Sequence, residues 1–353
     1  MIAVIGGGPV GSIAALEAVK KDDVTIFEEH YADTQPVRCA GLISKSGLNR
    51  IGVAGRDFVQ NKVRGAKIYS PSGNLLEVDA GETKAFVVDR RAFDEHLLNT
   101  ARDAGCGVVN ERVRDINFKD MKKVILATGA NYQLHRKLDL PAPKFLSGAQ
   151  YEMKISCDPD FVELYLGETP DFFAWVIPLD DNLARIGSAS RRNPTPYLEN
   201  FIKKLKGRMH GDEILNKTYG KIPIYSPKIK TSHANGKIIM VGDAAAQVKA
   251  TTGGGVVMGG IAAKFSCRTD YEKKWRCEIG RELWLHLQIR RFLNKISDRA
   301  LDELISLLNE HKDIIERKGD MDIASELLAE LSKNPKFVGK FSLLIPKFFR
   351  DML

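Results

Sequence analysis

The sequence predicts an α/β protein in which a parallel βαβ domain is interrupted by an antiparallel sheet and followed by helices. Three observations support this fold class. A glycine-rich turn at residues 6–11 joins a short apolar run to a helical pattern, and buried-strand patterns return at 124–127 and 237–241. Residues 145–230 are rich in β-branched and aromatic residues with Pro and Gly punctuation, as in antiparallel sheets. At 353 residues, the chain has the length of about two domains.

Hydrophobic patterning assigns the elements in chain order. The predicted elements are a strand at 2–5, a helix at 12–20, a strand at 24–27, a hairpin at 63–79, a helix at 90–105, a strand at 124–127, antiparallel strands across 145–230 with one helix near 198–205, a strand at 237–241, and helices over 270–353. In the last segment, Pro335 and Pro346 are expected to limit a continuous helix.

Composition and charge exclude several classes of protein. With 44% hydrophobic and 28% charged residues, the chain is an ordinary globular sequence. The longest uncharged stretch, residues 1–16, is shorter than a membrane-spanning helix and lacks the features of a secretory signal, so we expect a cytoplasmic protein. Five cysteines without a CxxC pair and seven histidines without ligand spacing predict neither disulfides nor a metal site. A net charge of +8 favours acidic partners such as phosphates or anionic lipid surfaces.

The glycine turn has the spacing of a dinucleotide-binding fingerprint. Gly6 permits the tight turn, Gly8 lets a pyrophosphate approach the backbone, and Gly11 lets the helix pack against the strand. The helix N-terminus then faces the phosphate charge. Glu28, at the end of the second strand, is placed to accept hydrogen bonds from an adenosine ribose. This pattern does not separate FAD from NAD.

A second glycine-rich segment, late in the chain, favours FAD. The predicted strand at 237–241 is followed by Gly242 and Asp243, and then by Gly253, Gly254 and Gly255 at a helix start. In a flavoprotein, Asp243 is expected to bind the ribityl or pyrophosphate region. The glycine N–H groups would point at the pyrimidine edge of the flavin, where a helix end stabilises negative charge.

These residues resemble FAD-dependent geranylgeranyl reductases, within the p-hydroxybenzoate-hydroxylase-like flavoproteins, over most of residues 1–265. Residues Pro36–Ser44 are similar to the family's cysteine-containing loop beside the isoalloxazine. Arg90, in Asp89–Asp94, matches an arginine that contacts FAD in the family, and Ala127–Gly129 resembles the turn after the third cofactor strand. The resemblance implies that the cofactor-binding set also includes Arg38, Cys39, Ala40, Gly41, Arg90, Ala127, Gly129 and Val256.

The segment Pro170–Pro178 is similar to the family's PxxYxWxFP motif, which implies that Phe173, Trp175 and Pro178 bind substrate. Phe173 stands where the family has Tyr and Ile177 where it has Phe, so a role that needs the phenol hydroxyl is absent. The stretch also resembles the WxWxIP motif of flavin-dependent halogenases. Ala250 stands where the family usually has Pro before the glycine turn.

The family resemblance also implies the domain organisation. A Rossmann-like FAD-binding domain is expected to comprise residues 1–62, 84–140 and 231–268. An inserted α+β substrate domain with an antiparallel sheet would comprise 63–83 and 141–230, with a C-terminal helical region over 269–353.

The implied reaction is the saturation of isolated double bonds in geranylgeranyl chains, on an ether-linked phospholipid precursor. An isolated alkene has no carbonyl to take up electron density, so hydride must arrive together with a proton. Cys39 is the catalytic candidate, since a thiol is protonated at neutral pH and could donate. Arg38 would favour the thiolate if its guanidinium pointed the same way, and a packed apolar role for Cys39 is the plain alternative.

Two other functions stay open from the sequence. One is a flavin monooxygenase or halogenase acting on an aromatic compound, and the other is an electron-transfer flavoprotein at a membrane surface. A single GxGxxG leaves ferredoxin and NAD(P)H equally open as electron donors. Residues 333–353 combine Lys and Arg with four Phe and could contact an anionic membrane, although a solvated basic face on a helical core is the competing reading. No nucleic-acid partner is expected.

Overall fold

The structure, a computed structural model, describes residues 1–30, 38–115 and 121–350, without the side chains of 345–350. It confirms the α/β class. The strands are β1 (Ile2–Ile5), β2 (Val24–Glu28), β3 (Leu42–Ser44), β4 (Val59–Val63), β5 (Gly65–Tyr69), β6 (Leu75–Asp79), β7 (Ala85–Val88), β8 (Gly107–Asn110), β9 (Lys123–Leu126), β10 (Phe145–Ile155), β11 (Phe161–Leu166), β12 (Phe173–Pro178), β13 (Leu183–Ser190), β14 (Met209–Pro223), β15 (Ser232–His233) and β16 (Ile238–Met240).

The α-helices of the described chain connect and cover these strands. They are α1 (Pro9–Ala18), α2 (Lys45–Ile51), α3 (Arg90–Asp103), α4 (Gln133–Lys137), α5 (Thr195–Lys204), α6 (Val256–Ala263), α7 (Tyr271–Trp275), α8 (Arg281–Leu293), α9 (Asp298–Asn309), α10 (Lys312–Lys318), α11 (Ala324–Ser332) and α12 (Pro335–Arg350).

The first sheet has six strands in the order β15-β16-β9-β1-β2-β8, parallel except for the β15–β16 pair. Its central strand β1 is buried on both faces because side chains alternate along a strand. Ile2 and Val4 pack in one hydrophobic cluster with α1, α3 and α6, whereas Ala3 and Ile5 pack in a second cluster on the other face. The chain leaves this sheet after β9 and returns to it at β15.

A second sheet has seven strands in the order β14-β10-β13-β12-β11-β5-β6. Its pairs are antiparallel except β11–β5, which is parallel and attaches the early hairpin to the later strands. This parallel pair differs from the wholly antiparallel sheet predicted from sequence. A third, three-stranded sheet in the order β3-β7-β4 was not predicted, since its strands are only three to five residues long.

Several helix boundaries differ from the sequence prediction, and α1 and α3 each end two residues before the predicted end, at Ala18 and Asp103. The first helix begins at Pro9, three residues early, because proline at the first helical position has a φ angle suited to a helix start. The expectation that Pro346 limits the last helix is wrong: α12 runs from Pro335 to Arg350.

The C-terminal segment 333–353 lies only partly within the described residues. Phe337 is buried in a cluster of the last helices, and its ring stacks on that of Phe341 at 5.6 Å between centroids. Lys340 pairs with Glu310. The side chains of 345–350, and residues 351–353 entirely, lie outside the described set, so membrane contact by this segment stays a prediction. Across the described residues, we find no helix whose length and hydropathy would let it span a bilayer.

Candidate active site

A cavity of about 1830 Å³ is lined by residues from all three sheets. One part is bordered by the glycine turn after β1 and by the glycine-rich segment before α6. Another part is bordered by apolar side chains of the seven-stranded and three-stranded sheets. Since drug-sized ligands occupy about 300–1,000 Å³, this cavity has room for a dinucleotide and a second, apolar ligand.

The glycine turn has the backbone approach that a dinucleotide requires. Gly6 has a φ of +106°, and a Cβ there would lie 2.4 Å from the carbonyl oxygen of Ala127. A Cβ on Gly11 would lie 1.9 Å from the Gly6 carbonyl oxygen, so only glycine lets α1 pack this close to β1. Gly8 lines the cavity and a Cβ there meets no atom within 4 Å. No side chain caps α1, and Pro9 and Val10 of its first turn line the cavity, so the uncapped helix start borders this space.

Glu28 lines the cavity beside this turn. One carboxylate oxygen accepts a hydrogen bond of 2.6 Å from the Gly7 N–H, and the other accepts from the His30 N–H at 3.0 Å. The side chain is thus held in place at the end of β2, where the sequence places a ribose-binding carboxylate.

The late glycine segment closes the opposite wall of the groove. Gly253 has a φ of +73° and Gly255 is the N-cap of α6, which has no side-chain cap. A Cβ on Gly255 would lie 2.4 Å from an Asp243 carboxylate oxygen. Asp243 lines the cavity, and no described residue donates a hydrogen bond to its carboxylate. An acceptor left free beside two uncapped helix starts fits the hydroxyl and phosphate groups of a flavin dinucleotide.

Burial raises the pKa of Asp243 to about 6, although the nearby Arg90 guanidinium opposes the shift. The folded protein therefore holds this proton more tightly than the unfolded chain, whose carboxyl has the ordinary value of 3.8. Ionisation costs folding free energy above pH 6, and this cost disappears as the pH falls through 6 towards 4.

Asp243→Asn is accordingly expected to stabilise the apoprotein at pH 7.5 while weakening flavin binding. The gain should be about 1–3 kcal/mol at pH 7.5, because asparagine never ionises, and it should narrow at pH 4.5. Urea unfolding of both apoproteins at the two pH values measures it. A gain of equal size at both pH values would contradict the assignment of the cost to Asp243.

Side chains of α8 hold the loop between β16 and α6. Arg290 is buried and donates to the carbonyl oxygens of Ala250 at 3.1 Å and Thr251 at 2.7 Å. Its guanidinium lies 4.5 Å from the Phe172 ring centroid, and burial lowers its pKa to about 10. His286 hydrogen-bonds with the Thr251 hydroxyl. These contacts stiffen the loop at the position where Ala250 replaces the family's proline.

The Cys39 loop lies between the groove and the apolar part of the cavity. The Cys39 sulfur is half-buried and accepts from the Gly41 N–H at 3.3 Å. Arg90 interacts with this sulfur and is paired with Asp94 at 2.9 Å; burial opposes its charge, yet these two neighbours raise its pKa. Arg38, in contrast, is exposed. The cation beside the thiol is therefore Arg90 rather than Arg38.

Arg185 supports the same loop from behind. It is buried and donates to the carbonyl oxygens of Ala40 at 2.9 Å and Val88 at 3.2 Å. Gly41 has a φ of +78°, and a Cβ there would lie 2.6 Å from a guanidinium nitrogen of Arg185. Only glycine is therefore compatible with position 41, where the backbone turns next to the Arg185 guanidinium.

Aromatic residues of β12 and the preceding turn form one wall of the apolar part. The Phe172 and Phe173 rings stack with centroids 4.2 Å apart, and Phe173 meets Trp175 edge to face at 6.1 Å. The Trp175 indole N–H donates to Gln150 at 3.0 Å. The indole covers Gly187 of the neighbouring strand, where a Cβ would lie 2.3 Å from the ring.

Most predicted site residues line this one cavity. Those that line it are Gly6, Gly8, Glu28, Arg38, Cys39, Ala40, Arg90, Ala127, Gly129, Asp243, Gly253, Gly254, Gly255, Val256, Phe173 and Trp175. Four predicted residues do not line it: Gly11, Gly41 and Gly242 pack against backbone or side chains behind the wall, and Pro178 lies at the far end of β12, where its carbonyl accepts from Asn61 at 3.1 Å. Pro36 and Val37 lie outside the described residues.

Sequence reasoning missed the polar side chains of the wall and behind it: Gln150, which lines the cavity, and Arg185, Lys249, His286, Arg290 and Asp322, which lie behind it. No motif marks them, because each acts through contacts with residues distant in sequence. A lysine or arginine among apolar residues, such as Lys249, was the sequence feature that could have indicated a buried cation.

Comparison with known proteins places the chain in a family, although no family model matches it. An uncharacterized protein of Methanocaldococcus jannaschii is 31% identical over 94% of this chain and 95% of its own length. A digeranylgeranylglycerophospholipid reductase of the same organism is 29% identical over 100% and 98%, and reductase 1 of Methanococcoides burtonii is 29% identical over 96% and 93%.

Among solved structures, a geranylgeranyl bacteriochlorophyll reductase-like protein from Thermoplasma acidophilum aligns with a TM-score of 0.80 at 26% identity, over 97% of this chain and 98% of its own. A flavin-dependent halogenase aligns with a TM-score of 0.63 at 18% identity, over 99% and 76%, which is a likeness of fold. The chain therefore belongs to the geranylgeranyl reductase family of flavoprotein oxidoreductases, together with the digeranylgeranylglycerophospholipid reductases.

Proposed function

We propose that this protein binds FAD and saturates isolated double bonds in the polyprenyl chains of an ether-type phospholipid precursor. The observation that carries the proposal is the cavity itself. A glycine-lined groove suited to a dinucleotide continues into an apolar space, and one thiol lies at the junction. The substrate class is taken from the relatives, which are named digeranylgeranylglycerophospholipid reductases.

The residues of the groove would hold FAD in two places. The turn at Gly6 and Gly8 and the start of α1 would hold the pyrophosphate, and Glu28 the adenosine ribose. Asp243 and the N–H groups at the start of α6, at Gly255 and Val256, would hold the ribityl chain and the pyrimidine edge, because the N–H groups of Gly253 and Gly254 already donate to the Lys249 carbonyl and the Thr252 hydroxyl. When bound and reduced, FAD supplies a hydride to one alkene carbon, so that two electrons pass to the substrate.

The protein supplies orientation and exclusion of water around the alkene. Val162, Leu164, Phe173, Trp175 and Ile177 line the apolar part and pack in one cluster with the Cys39 loop through Ala40. A polyprenyl chain gains roughly 25 cal/mol for each Å² of apolar surface that it buries here. Such a wall favours an apolar isoprenoid chain over a polar aromatic compound.

Cys39 would donate the proton to the second alkene carbon, which completes addition of H⁻ and H⁺ across the bond. The thiol then needs a new proton from solvent in each cycle. A smaller polar cavity of about 210 Å³ shares Arg90, Gln150 and Thr218 with the main cavity and is lined by Glu152 and Asp89, which places titratable groups on a route to solvent.

Anaerobic incubation of the dithionite-reduced protein with a geranylgeranyl phospholipid precursor tests the function directly. We expect products heavier by multiples of 2 Da. Unchanged lipid with oxygen- or halide-dependent conversion of an aromatic compound would instead support the monooxygenase or halogenase alternative. Unchanged lipid with electron transfer to a partner would support an electron carrier.

The electron donor that fits the surface is an acidic redox protein such as a ferredoxin. Three exposed cations, Arg38, Arg136 and Lys221, line the cavity together with the exposed aromatics Phe145 and Tyr219. Lys144 and Lys217 are exposed beside these aromatics in the sequence, and within the described residues none of the five cations pairs with a carboxylate. Reduction by ferredoxin should therefore slow at least tenfold between 50 and 300 mM salt, measured by flavin bleaching. A salt-independent rate, or equally fast reduction by NADPH, would contradict this donor.

Gly187→Ala is expected to disturb the aromatic wall, because its Cβ would enter the space of the Trp175 indole. We expect turnover to fall about tenfold or more with normal flavin content, since a displacement of about 1 Å at a positioning group has effects of this order. Gly207→Ala is the control, because an added Cβ there meets nothing within 4 Å. Equal activity of both variants would contradict a role for the wall.

A further inference from the structure

A buried lysine lies behind the late glycine loop. Lys249 is 2% exposed, and its ammonium donates to the carbonyl oxygen of Met321 at 2.8 Å and to the Asp322 carboxylate. Both partners come from the segment between α10 and α11. Burying two charges costs several kcal/mol for each ion, and their mutual attraction does not always offset this cost, so packing alone does not explain the pair.

The backbone of Lys249 is part of the glycine loop itself. Its N–H donates to the Gly254 carbonyl at 3.1 Å, and its carbonyl accepts from the Gly253 N–H at 2.8 Å. A Cβ on Gly254 would lie 3.0 Å from Lys249 Cε and 3.3 Å from Nζ. The ammonium therefore sits directly behind Gly254, whose other side lines the cavity.

The pair is oriented. One Asp322 oxygen binds Lys249, and the other accepts from the Ser44 hydroxyl, which in turn accepts from the Gly47 N–H at 2.9 Å as the N-cap of α2. A Cβ on Gly47 would lie 2.7 Å from that second oxygen. The positive end of the pair thus faces the glycine loop, and the negative end faces α2.

We propose that the oriented Lys249–Asp322 pair is an electrostatic positioning element that makes the site bind reduced flavin more tightly than oxidised flavin. The inference rests on the proposed function, in which the start of α6, at the end of this loop, faces the flavin's pyrimidine edge. Negative charge collects at that edge on reduction, and the buried cation behind the loop stabilises it because the protein interior screens charges less than water does. A higher midpoint potential of the bound flavin allows a weaker electron donor to reduce it.

Three variants test the proposal through the flavin's midpoint potential. Asp322→Asn keeps the side-chain size but leaves the cation unneutralised, so the preference for reduced flavin should rise about tenfold, a positive shift of about 30 mV for two electrons. Lys249→Gln leaves the carboxylate alone and should lower the preference by a similar factor. The double variant should fall between the two. Potentials are measured by spectroscopic titration against reference dyes.

The signs of these shifts separate electrostatics from structure. A merely structural role would weaken both redox forms equally and leave all potentials at the wild-type value, which would overturn the proposal. Lys264→Gln is the control, because it removes a cation at the far end of α6 and should leave the potential unchanged. If Lys249→Gln does not fold, Asp322→Asn alone decides by its sign. A wild-type protein that binds no flavin would instead refute the proposed function.

Discussion

Gly8→Ala is expected to abolish flavin uptake without destabilising the folded apoprotein. A Cβ at this position meets no protein atom within 4 Å, so the polypeptide itself loses nothing. The methyl group would occupy the space through which a pyrophosphate reaches the backbone N–H groups of the turn. We expect the dissociation constant for FAD to rise at least 100-fold, measured by quenching of flavin fluorescence, and the apoprotein melting temperature to stay within about 2 °C.

Gly11→Ala serves as the contrasting variant of the same motif. Its Cβ would lie 1.9 Å from the Gly6 carbonyl oxygen, so α1 must move away from β1. We expect a loss of about 1–3 kcal/mol or more of unfolding free energy in the apoprotein, since overpacking of a buried contact costs this much. If Gly8→Ala destabilises the apoprotein as much as Gly11→Ala does, Gly8 does not border open space in the groove, and the prediction is contradicted.

Cys39→Ala is expected to lower turnover of the alkene about 100-fold or more while leaving flavin content normal. A positioned proton donor contributes about 10²–10⁴-fold, and the apolar wall offers no replacement acid. Single-turnover oxidation of the reduced, lipid-bound enzyme under anaerobic conditions measures the chemical step without the electron donor.

Two controls accompany this variant. Cys39→Ser keeps a hydroxyl within reach of the Gly41 N–H but is a far weaker acid, so it should preserve the loop and still react slowly. Cys277→Ala removes an exposed thiol elsewhere and should react like the wild type. Wild-type rates in Cys39→Ala with full flavin content would refute the proton-donor role.

The fold was predictable where the hydrophobic period is strong. The apolar runs of β1 and β9 give the parallel sheet, and the helical spacing of Phe93, Leu97 and Ala101 gives α3, in which all three are buried. The three-stranded sheet was not predictable, because β3 has only three residues and its pattern has no detectable period. The parallel partner of β5 lies about 100 residues away, and local sequence carries no record of such pairing.

The site was predictable where glycine geometry dictates it, as at Gly6 and Gly253, whose positive φ angles require glycine. The cation beside Cys39 could not be assigned from sequence. Arg38 is adjacent in the chain, yet the fold presents Arg90, which lies 51 residues later, to the sulfur. In a loop, being next to Cys39 in sequence does not determine where the Arg38 side chain points. The start of α3, in contrast, fixes the direction of the Arg90 side chain.

The return of the chain to the first sheet at β15 and β16 has a consequence for biosynthesis. Until residue 240 has left the ribosome, β9 presents an unpaired edge, and the segments that complete the cofactor groove have not been made. Open strand edges are prone to mispairing between chains. Nascent chains should therefore need chaperone protection while residues 127–240 are being made, and fragments ending between residues 126 and 240 should aggregate.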